Sequence, residues 1–361
     1  MRDLIIFIPS IEGGGVEKNL FYITNYIQSK FKNIYLITAD KFERNTFGKN
    51  IKLITPNTTY YKNKNRFVKN IICSYLLFKN FKKRKALVLS LQSNFFSIIS
   101  SKVINAKVII RLNTSPEKYI SNIFKKILFK FLYSFADEII VNCRDFKKNL
   151  YKNFYLNSKV IFNPIKMDKT KKKIDFFKDF KELKIISIGR LTNQKNQIIL
   201  LKALYLLKNK FNIKFKLYLI GKGYNYNLLK NFIYKNKLQK NVKLAGYKKN
   251  ASNYIKSSDL FILSSNYEGL PNTLIEAQAA CVPIISSNCP TGPKEILMNG
   301  RLGDLFNPGD YKNLCKKIYN YYKNRKLLKK KSILAKKYLY RFDYQDNLNK
   351  YVIVIMKYIK N

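Results

Sequence analysis

The feature that most constrains this chain is a regular alternation of short β-rich runs with longer helix-like runs. In the first half the strand-like runs are "LIIFIPS", "IYLITAD", "ALVLSL", "KVIIRL", "EIIVNC" and "KVIFNP". Between them lie helix-like stretches, including Val16–Ser29, Arg66–Phe81, Lys118–Ser134 and Arg144–Phe154. Apolar runs bounded by turn signals and separated by amphipathic helices specify a parallel sheet covered on both faces. The charged run "PIKMDKTKKKIDFFKDFKE" interrupts the pattern, which restarts with "LKIISIGR", "KFKLYLIG", "NVKLAGY", "DLFILSS" and "VPIISS". The expected division is therefore an α/β domain over 1–165, a linker over 166–182 and a second α/β domain over 183–342. The apolar C-terminal helix 343–361 is expected to pack back on the first. Two such sheets face each other across a cleft at the carboxyl ends of their strands, where α/β folds place ligands.

Composition narrows the chemistry. The 361 residues contain no histidine, so an imidazole base, a His-based triad or a His-ligated metal is excluded. Five scattered cysteines without a CxxC argue against disulfides and structural zinc. No stretch approaches the roughly 20 apolar residues of a membrane span. The start, "MRDLIIFIPSIEGGG", breaks into glycines too early for a signal peptide, and a cytoplasmic protein is expected. The net charge of +49 comes mostly from Lys, together with abundant Asn, Ile, Tyr and Phe. That mixture points to a compositional bias more than to nucleic-acid recognition, for which Arg clusters and aromatics along one groove are expected. The field still favours anionic membranes, by about 1 kcal/mol per Lys near the headgroups.

Several strand-to-helix passages carry candidate binding residues. In "SIGRLTNQKN", Gly189 lets the chain turn and presents Arg190 and Lys195, two cations suited to a diphosphate leaving group; simple solvated charges are the alternative. Gly221 and Gly223 in "LIGKGYNYN", and Gly246 with Tyr247 in "VKLAGYKKN", either admit a ligand or merely turn the chain. Neither matches a P-loop. "SIEGGGVEKNL" permits close approach at Gly14 and Gly15 without forming GxGxxG.

"SSNYEGLPNTLIEAQAACVPII" sets Glu268 and Glu276 on either side of a Gly-Leu-Pro turn. Pro271 reads as the first helical residue, and Leu274, Ile275, Ala279 and Ala280 are expected to face the core. The N-terminal N–H groups and dipole of that helix attract an anion such as phosphate.

The series "GGGVEK", "GRLTNQKN", "YEGLPNTLIEAQAACVPII" and "TGPKEIL" resembles the retaining glycosyltransferases of family 4, which have the GT-B fold of two facing Rossmann-like domains. The likeness runs along most of the chain and is densest between Lys184 and Phe306; "ADEIIVNCRDFKKNL" and "VIFNPI" add to it.

The resemblance implies that Arg190 and Lys195 hold the donor diphosphate. It implies that Glu268, with Gly269, Leu270 and Pro271, touches the donor sugar, and that Glu276 accepts from the ribose. Asn272 and Thr273 then face the phosphates, and Gly189, Gly221, Gly246 and Tyr247 complete the donor side. Gly14 and Gly15 would line the acceptor side. Many relatives carry a histidine after a first-domain strand, and Asn113 in "VIIRLNTSPEKY" is assigned its place.

The implied reaction is transfer of a hexosyl or N-acetylhexosaminyl group from a UDP- or GDP-sugar, with retention and without a metal, onto a glycan. That acceptor is expected on a polyprenyl diphosphate, in the synthesis of a bacterial surface polysaccharide. The catalytic set would be Glu268, Arg190 and Lys195. A nucleotide-sugar 2-epimerase is the alternative within the fold, and a basic nucleic-acid-binding protein the alternative outside it.

"KYISNIFKKILFKFLYSF" has an apolar stripe through Ile120, Ile123, Phe124, Ile127, Leu128, Phe131 and Leu132, flanked by Lys118, Lys125, Lys126 and Lys130. One reading packs the stripe on the first sheet. The other lets extra apolar residues, Phe129 and Tyr133, dip into an anionic interface, placing the protein on the inner face of the cytoplasmic membrane.

Overall fold

A computed structural model describes residues 2–11, 15–40, 47–48, 50–61, 64–114, 122–166, 177, 180–248 and 252–360. The chain divides into two compact units, 1–164 with 343–361, and 165–342.

In the first unit the order is β1 (Asp3–Phe7), α1 (Gly15–Ile27), β2 (Ile34–Ile37), β3 (Ile51–Ile54), α2 (Arg66–Phe81) and β4 (Ala86–Ser90). Then come α3 (Asn94–Val103), β5 (Lys107–Leu112), α4 (Ile123–Ser134), β6 (Glu138–Val141), α5 (Arg144–Phe154) and β7 (Lys159–Val160). The strands form a parallel sheet ordered β3-β2-β1-β4-β5-β6-β7. Near-continuous Ile, Leu and Val in β1, β4 and β5 suit strands buried on both faces. The order reverses at β1, between β2 and β4, which is where doubly wound sheets leave a ligand crevice.

The second unit contains β8 (Leu183–Ile188), α6 (Gln197–Phe211), β9 (Phe215–Ile220), α7 (Tyr226–Lys235), β10 (Val242–Leu244), α8 (Ser252–Ile255) and β11 (Leu260–Leu263). It continues with α9 (Asn272–Ala279), β12 (Ile284–Ser287), α10 (Pro293–Ile296), β13 (Asp304–Phe306), α11 (Tyr311–Lys323) and α12 (Arg325–Lys337). Its parallel sheet runs β10-β9-β8-β11-β12-β13, reversing at β8. The core is built from β8, β9 and β11 against α6, whose Leu200, Leu201, Ala203, Leu204 and Leu207 are fully buried.

The last helix, α13 (Tyr344–Ile359), sends Leu348, Tyr351 and Ile355 into the core of the first unit. Of the stretch expected as a linker, residues 167–176, 178 and 179 lie outside the described residues. Phe177 within it is buried, with its ring edge-on to Tyr218.

Two local expectations are corrected. Pro271 is the residue before the helix, at φ −71 and ψ 108, and α9 begins at Asn272. The buried face of α9 is Leu274, Ile275, Ala277 and Gln278, while Ala279 and Ala280, at its C-terminal end, are only half-buried. The stripe on α4 does not pack on the sheet: Ile123, Phe124, Ile127, Leu128 and Phe131 are exposed. The inward face carries Leu132, Phe129 and Tyr133 instead. Phe129 stacks on Tyr133 at 3.9 Å and lies 4.8 Å from the buried Phe154 of α5. Residues 118–121 of the expected helix lie outside the described residues.

Candidate functional site

The second unit's site is assembled from loops at the carboxyl edge of its sheet. The turns after β8, β9 and β10 lie side by side: Gly189 N donates to Ile220 O, Gly221 N to Gly246 O, and Leu191 N to Lys222 O, each at 2.9 Å. Gly221 has φ +152, and a Cβ there would stand 1.9 Å from Gly189 O. Only glycine permits that approach. The exposed Arg190 leaves this edge, and Tyr247 is exposed beside Gly246.

Lys195 folds back under the turn, its stem 3.3 Å from where a Cβ on Gly189 would sit. Its ammonium donates to Glu268 Oε1 at 2.5 Å. Thus the loops after β8 and β11 meet through one cation and one carboxylate. Three further contacts seal the junction. Gln194 Nε2 donates to Tyr267 O, Asn196 Nδ2 to Asn266 Oδ1, and Ser264 Oγ to Lys195 O.

Glu268 is buried and held from behind. Ser265 Oγ donates to the same Oε1 at 2.5 Å, and Thr291 Oγ1 donates to Glu268 O at 2.6 Å. Ser287 Oγ donates to Ser265 O at 2.6 Å, and Cys289 is buried nearby. Burial, reinforced by the Glu268 charge, pushes the Cys289 thiol up to about 12, so it stays a neutral filler. Gly292, at φ +78, lies against this turn; a Cβ on it would stand 1.7 Å from Gly269 O.

The residues leading into α9 follow directly. Gly269, Leu270 and Pro271 are buried, and Asn272 and Thr273 are half-buried in the first turn. Pro271 offers no side-chain acceptor to that turn, so the dipole end is not neutralised by a polar cap. Glu276 lies one turn further on, half-buried. Around this edge Thr192 Oγ1, Gln197 Oε1 and Thr273 Oγ1 are buried with no hydrogen-bond partner among the described residues.

In the first unit Gly14 lies outside the described residues, and Gly15 opens α1. Asn113 follows β5 and is locked on every side. Arg111 Nη1 donates to its Oδ1, its Nδ2 donates to Leu91 O at 2.7 Å, and Asn142 Nδ2 donates to its carbonyl at 3.2 Å. Arg111 is 1% exposed and also donates to Asn163 Oδ1 at 2.5 Å and Tyr351 Oη at 2.7 Å.

Sequence reasoning missed a second feature of that edge. Lys69 and Asp40 form a buried pair at 2.6 Å, and Asp40 Oδ2 accepts from Ile11 N at 2.7 Å just before the glycine run. Thr291, Gly292, Ser265 and Ser287 were also missed as supports of Glu268; only the quoted "TGPKEIL" hinted at the first two.

Residues 168–338 match the sequence model of the glycosyl transferases group 1. The second unit is a group 1 glycosyl transferase domain. An uncharacterised glycosyltransferase of Methanocaldococcus jannaschii is 37% identical over 209 residues, which is 54% of this chain and 51% of that protein. The chain thus spans about half of that relative's length. A Campylobacter jejuni protein is 25% identical over 320 residues, covering 84% of this chain and 86% of that one. Its name is N-acetylgalactosamine-N,N'-diacetylbacillosaminyl-diphospho-undecaprenol 4-alpha-N-acetylgalactosaminyltransferase. The solved structure of Anabaena HepE with UDP-glucose superposes with a TM-score of 0.80 at 16% identity, covering 99% of this chain and 100% of that one. At that identity the likeness concerns the fold, and the two parallel-sheet α/β units have the GT-B fold. Among the described residues, no group of three or more Cys, Asp or Glu side chains is arranged to hold a metal, and no helix is long and apolar enough to cross a membrane.

Proposed function

We propose that the chain moves a hexosyl or N-acetylhexosaminyl group from a nucleoside-diphosphate sugar to a glycan acceptor carried on a polyprenyl diphosphate, retaining the anomeric configuration. The observation that carries this reading is the contact of Lys195 with Glu268 in the loop just before α9, whose first turn has no side-chain cap. The lipid-linked acceptor is taken over from the name of the Campylobacter relative.

In this reading the pyrophosphate lies against Arg190, Lys195 and the first turn of α9. The Lys195 ammonium is placed by Glu268, and Glu268 by Ser265 and the Thr291 hydroxyl. As the C1–O bond of the donor breaks, its electron pair goes to the β-phosphate oxygen. The two cations and the helix dipole stabilise the charge that builds there. The acceptor oxygen bonds to C1 on the face the phosphate leaves, and its proton passes to the departing phosphate oxygen. No protein base is needed, which suits a chain without histidine. Glu268 grips sugar hydroxyls as positive charge grows on the ring, and Glu276 takes the ribose. The transfer needs no metal and serves surface-glycan assembly at the inner face of the cytoplasmic membrane.

The test is a panel of radiolabelled UDP- and GDP-sugars with polyprenyl-diphosphate glycans. One donor should be consumed in the presence of EDTA, giving a product of unchanged anomeric configuration by NMR. Thermal stabilisation by oligonucleotides but not by UDP or GDP, or epimerised free sugar nucleotide, would overturn it.

A further inference from the structure

Three neighbouring helices of the first unit turn apolar stripes to solvent. On α2 these are Phe67, Ile71, Tyr75 and Phe78, whose spacing keeps them on one side of the helix, opposite the buried Asn70, Cys73, Leu77 and Phe81. On α3 they are Phe95, Ile99 and Val103, opposite the buried Ser97 and Ser101. On α4, Phe124, Ile127, Leu128 and Phe131 do the same, with Phe124 77% exposed. The helices are consecutive neighbours, α2 beside α3 and α3 beside α4, and the Phe67 ring meets Phe96 edge-on at 5.8 Å across the first pair. Scattered apolar residues on a surface need no explanation, but three adjacent stripes make one broad patch, and such patches mark interaction sites.

Charge selects the occupant. The segments RFVKNIICSYLLFKNF, NFFSIISSKV and IFKKILFKFLYS contain no Asp or Glu. Exposed Lys79, Lys102, Lys125, Lys126 and Lys130 lie along them, with Lys82 and Lys83 just beyond α2. A second copy of a chain carrying +49 would bring the same basic rim against this one. A surface that is apolar within and anionic outside matches both features, because aromatic rings enter the acyl boundary while lysines remain at the headgroups.

Direction matters as well. In a parallel sheet the helices start at the carboxyl edge of the strands. Asn94, the first residue of α3, donates through its side-chain amide to Arg111 O at 3.0 Å, two residues before Asn113. Phe95 and Phe96 follow immediately. The aromatic end of the patch therefore adjoins the strand edge assigned to the acceptor.

We propose that α2, α3 and α4 together form a docking face for an anionic phospholipid membrane, which brings the carboxyl edge of the first sheet to headgroup level. A lipid-borne diphosphate would meet that edge there. This last point rests on the proposed acceptor, whereas docking itself does not.

The full chain should co-sediment with phosphatidylglycerol–phosphatidylcholine vesicles at low salt, and only weakly with phosphatidylcholine alone. Phe67→Ser, Phe95→Ser and Phe124→Ser combined, at exposed positions where the fold should survive (checked by circular dichroism), should weaken binding at least tenfold. Lys125→Glu with Lys126→Glu should remove the preference for phosphatidylglycerol. Wild-type binding by the triple-Ser chain overturns the proposal. So does a dimer that the triple change abolishes in a chain indifferent to vesicles. Transfer to a water-soluble short-chain acceptor should be unchanged in the triple-Ser chain. If wild type docks but transfers no sugar, the proposed activity fails and the docking face stands.

Discussion

Lys195 and Glu268 stand 2.5 Å apart, ammonium to carboxylate, with side chains 16% and 6% exposed. The residue assigned to the departing phosphate is thus held by the residue assigned to the sugar, and neither can be altered alone. Lys195→Ala leaves a buried carboxylate whose Oε1 keeps the Ser265 hydroxyl, and removing one partner of a buried pair costs about 3–5 kcal/mol. The urea midpoint should fall by a corresponding amount. Glu268→Gln keeps the shape and should destabilise less. In activity, Glu268→Ala should lower kcat at least tenfold, about 1.4 kcal/mol of barrier. Measured in one double-mutant cycle, the pair should be strongly non-additive. Additive losses would separate the two roles.

Gly292 makes a second, sharper prediction. Its φ of +78 disfavours any L side chain, and its Cβ would stand 1.7 Å from Gly269 O. Because Gly269 follows Glu268, the displaced backbone would carry the carboxylate with it. Gly292→Ala should therefore lower kcat/KM for the donor by more than tenfold and lower the melting temperature by more than backbone strain alone would. Gly300→Ala is the control: at φ +92 it carries backbone strain, but its added Cβ meets nothing within 4 Å. It should cost stability alone.

What was legible in the sequence follows from where the physics is local. The helices Arg66–Phe81 and Arg144–Phe154 coincide with their expected bounds, and the long apolar strands fall where apolar runs are unbroken. The short β3 and β13 offered four and three residues, too few for a pattern. On α4 hydrophobic periodicity points the wrong way. It finds the solvent-facing stripe, while the helix buries little but Leu132. A rule that sends apolar residues inward cannot see a face made for another surface. The loops around Glu268 were legible as residue types. Their supports were not, because Thr291 and Gly292 reach Glu268 and Gly269 only through the fold.

Asp137 gives a pH-dependent prediction. Burial works against its charge, but the Val108 amide, Lys107 and Lys102 outweigh it and hold its carboxyl below the ordinary aspartate value. A carboxyl lowered in the folded state adds stability above its unfolded pKa, and loses it as pH falls through the folded one. Asp137→Asn should therefore be less stable than wild type at neutral pH, with the gap closing as pH falls below about 4. Urea unfolding across that range checks it; a constant gap would mean the amide loses packing rather than charge.

Tyr351 tests how the last helix is held. Its hydroxyl accepts from Arg111 Nε at 2.7 Å inside the first unit's core, 240 residues away in sequence. Arg111 is buried, and its guanidinium donates to three neutral side chains, Tyr351, Asn113 and Asn163. Burial raises the tyrosine pKa, so the hydroxyl stays protonated and serves the guanidinium through its lone pair. Tyr351→Phe keeps the ring among Leu348, Val352 and Ile355 but removes that acceptor. A hydrogen bond to a charged group contributes about 1.5–3 kcal/mol, and a buried cation cannot turn to water for a substitute. The urea midpoint should drop accordingly with the slope unchanged. Asn113 remains on the same guanidinium, so kcat should fall as the amide loosens, while KM for the donor stays put. Should stability fall with kcat intact, Arg111 anchors the helix and does nothing for Asn113.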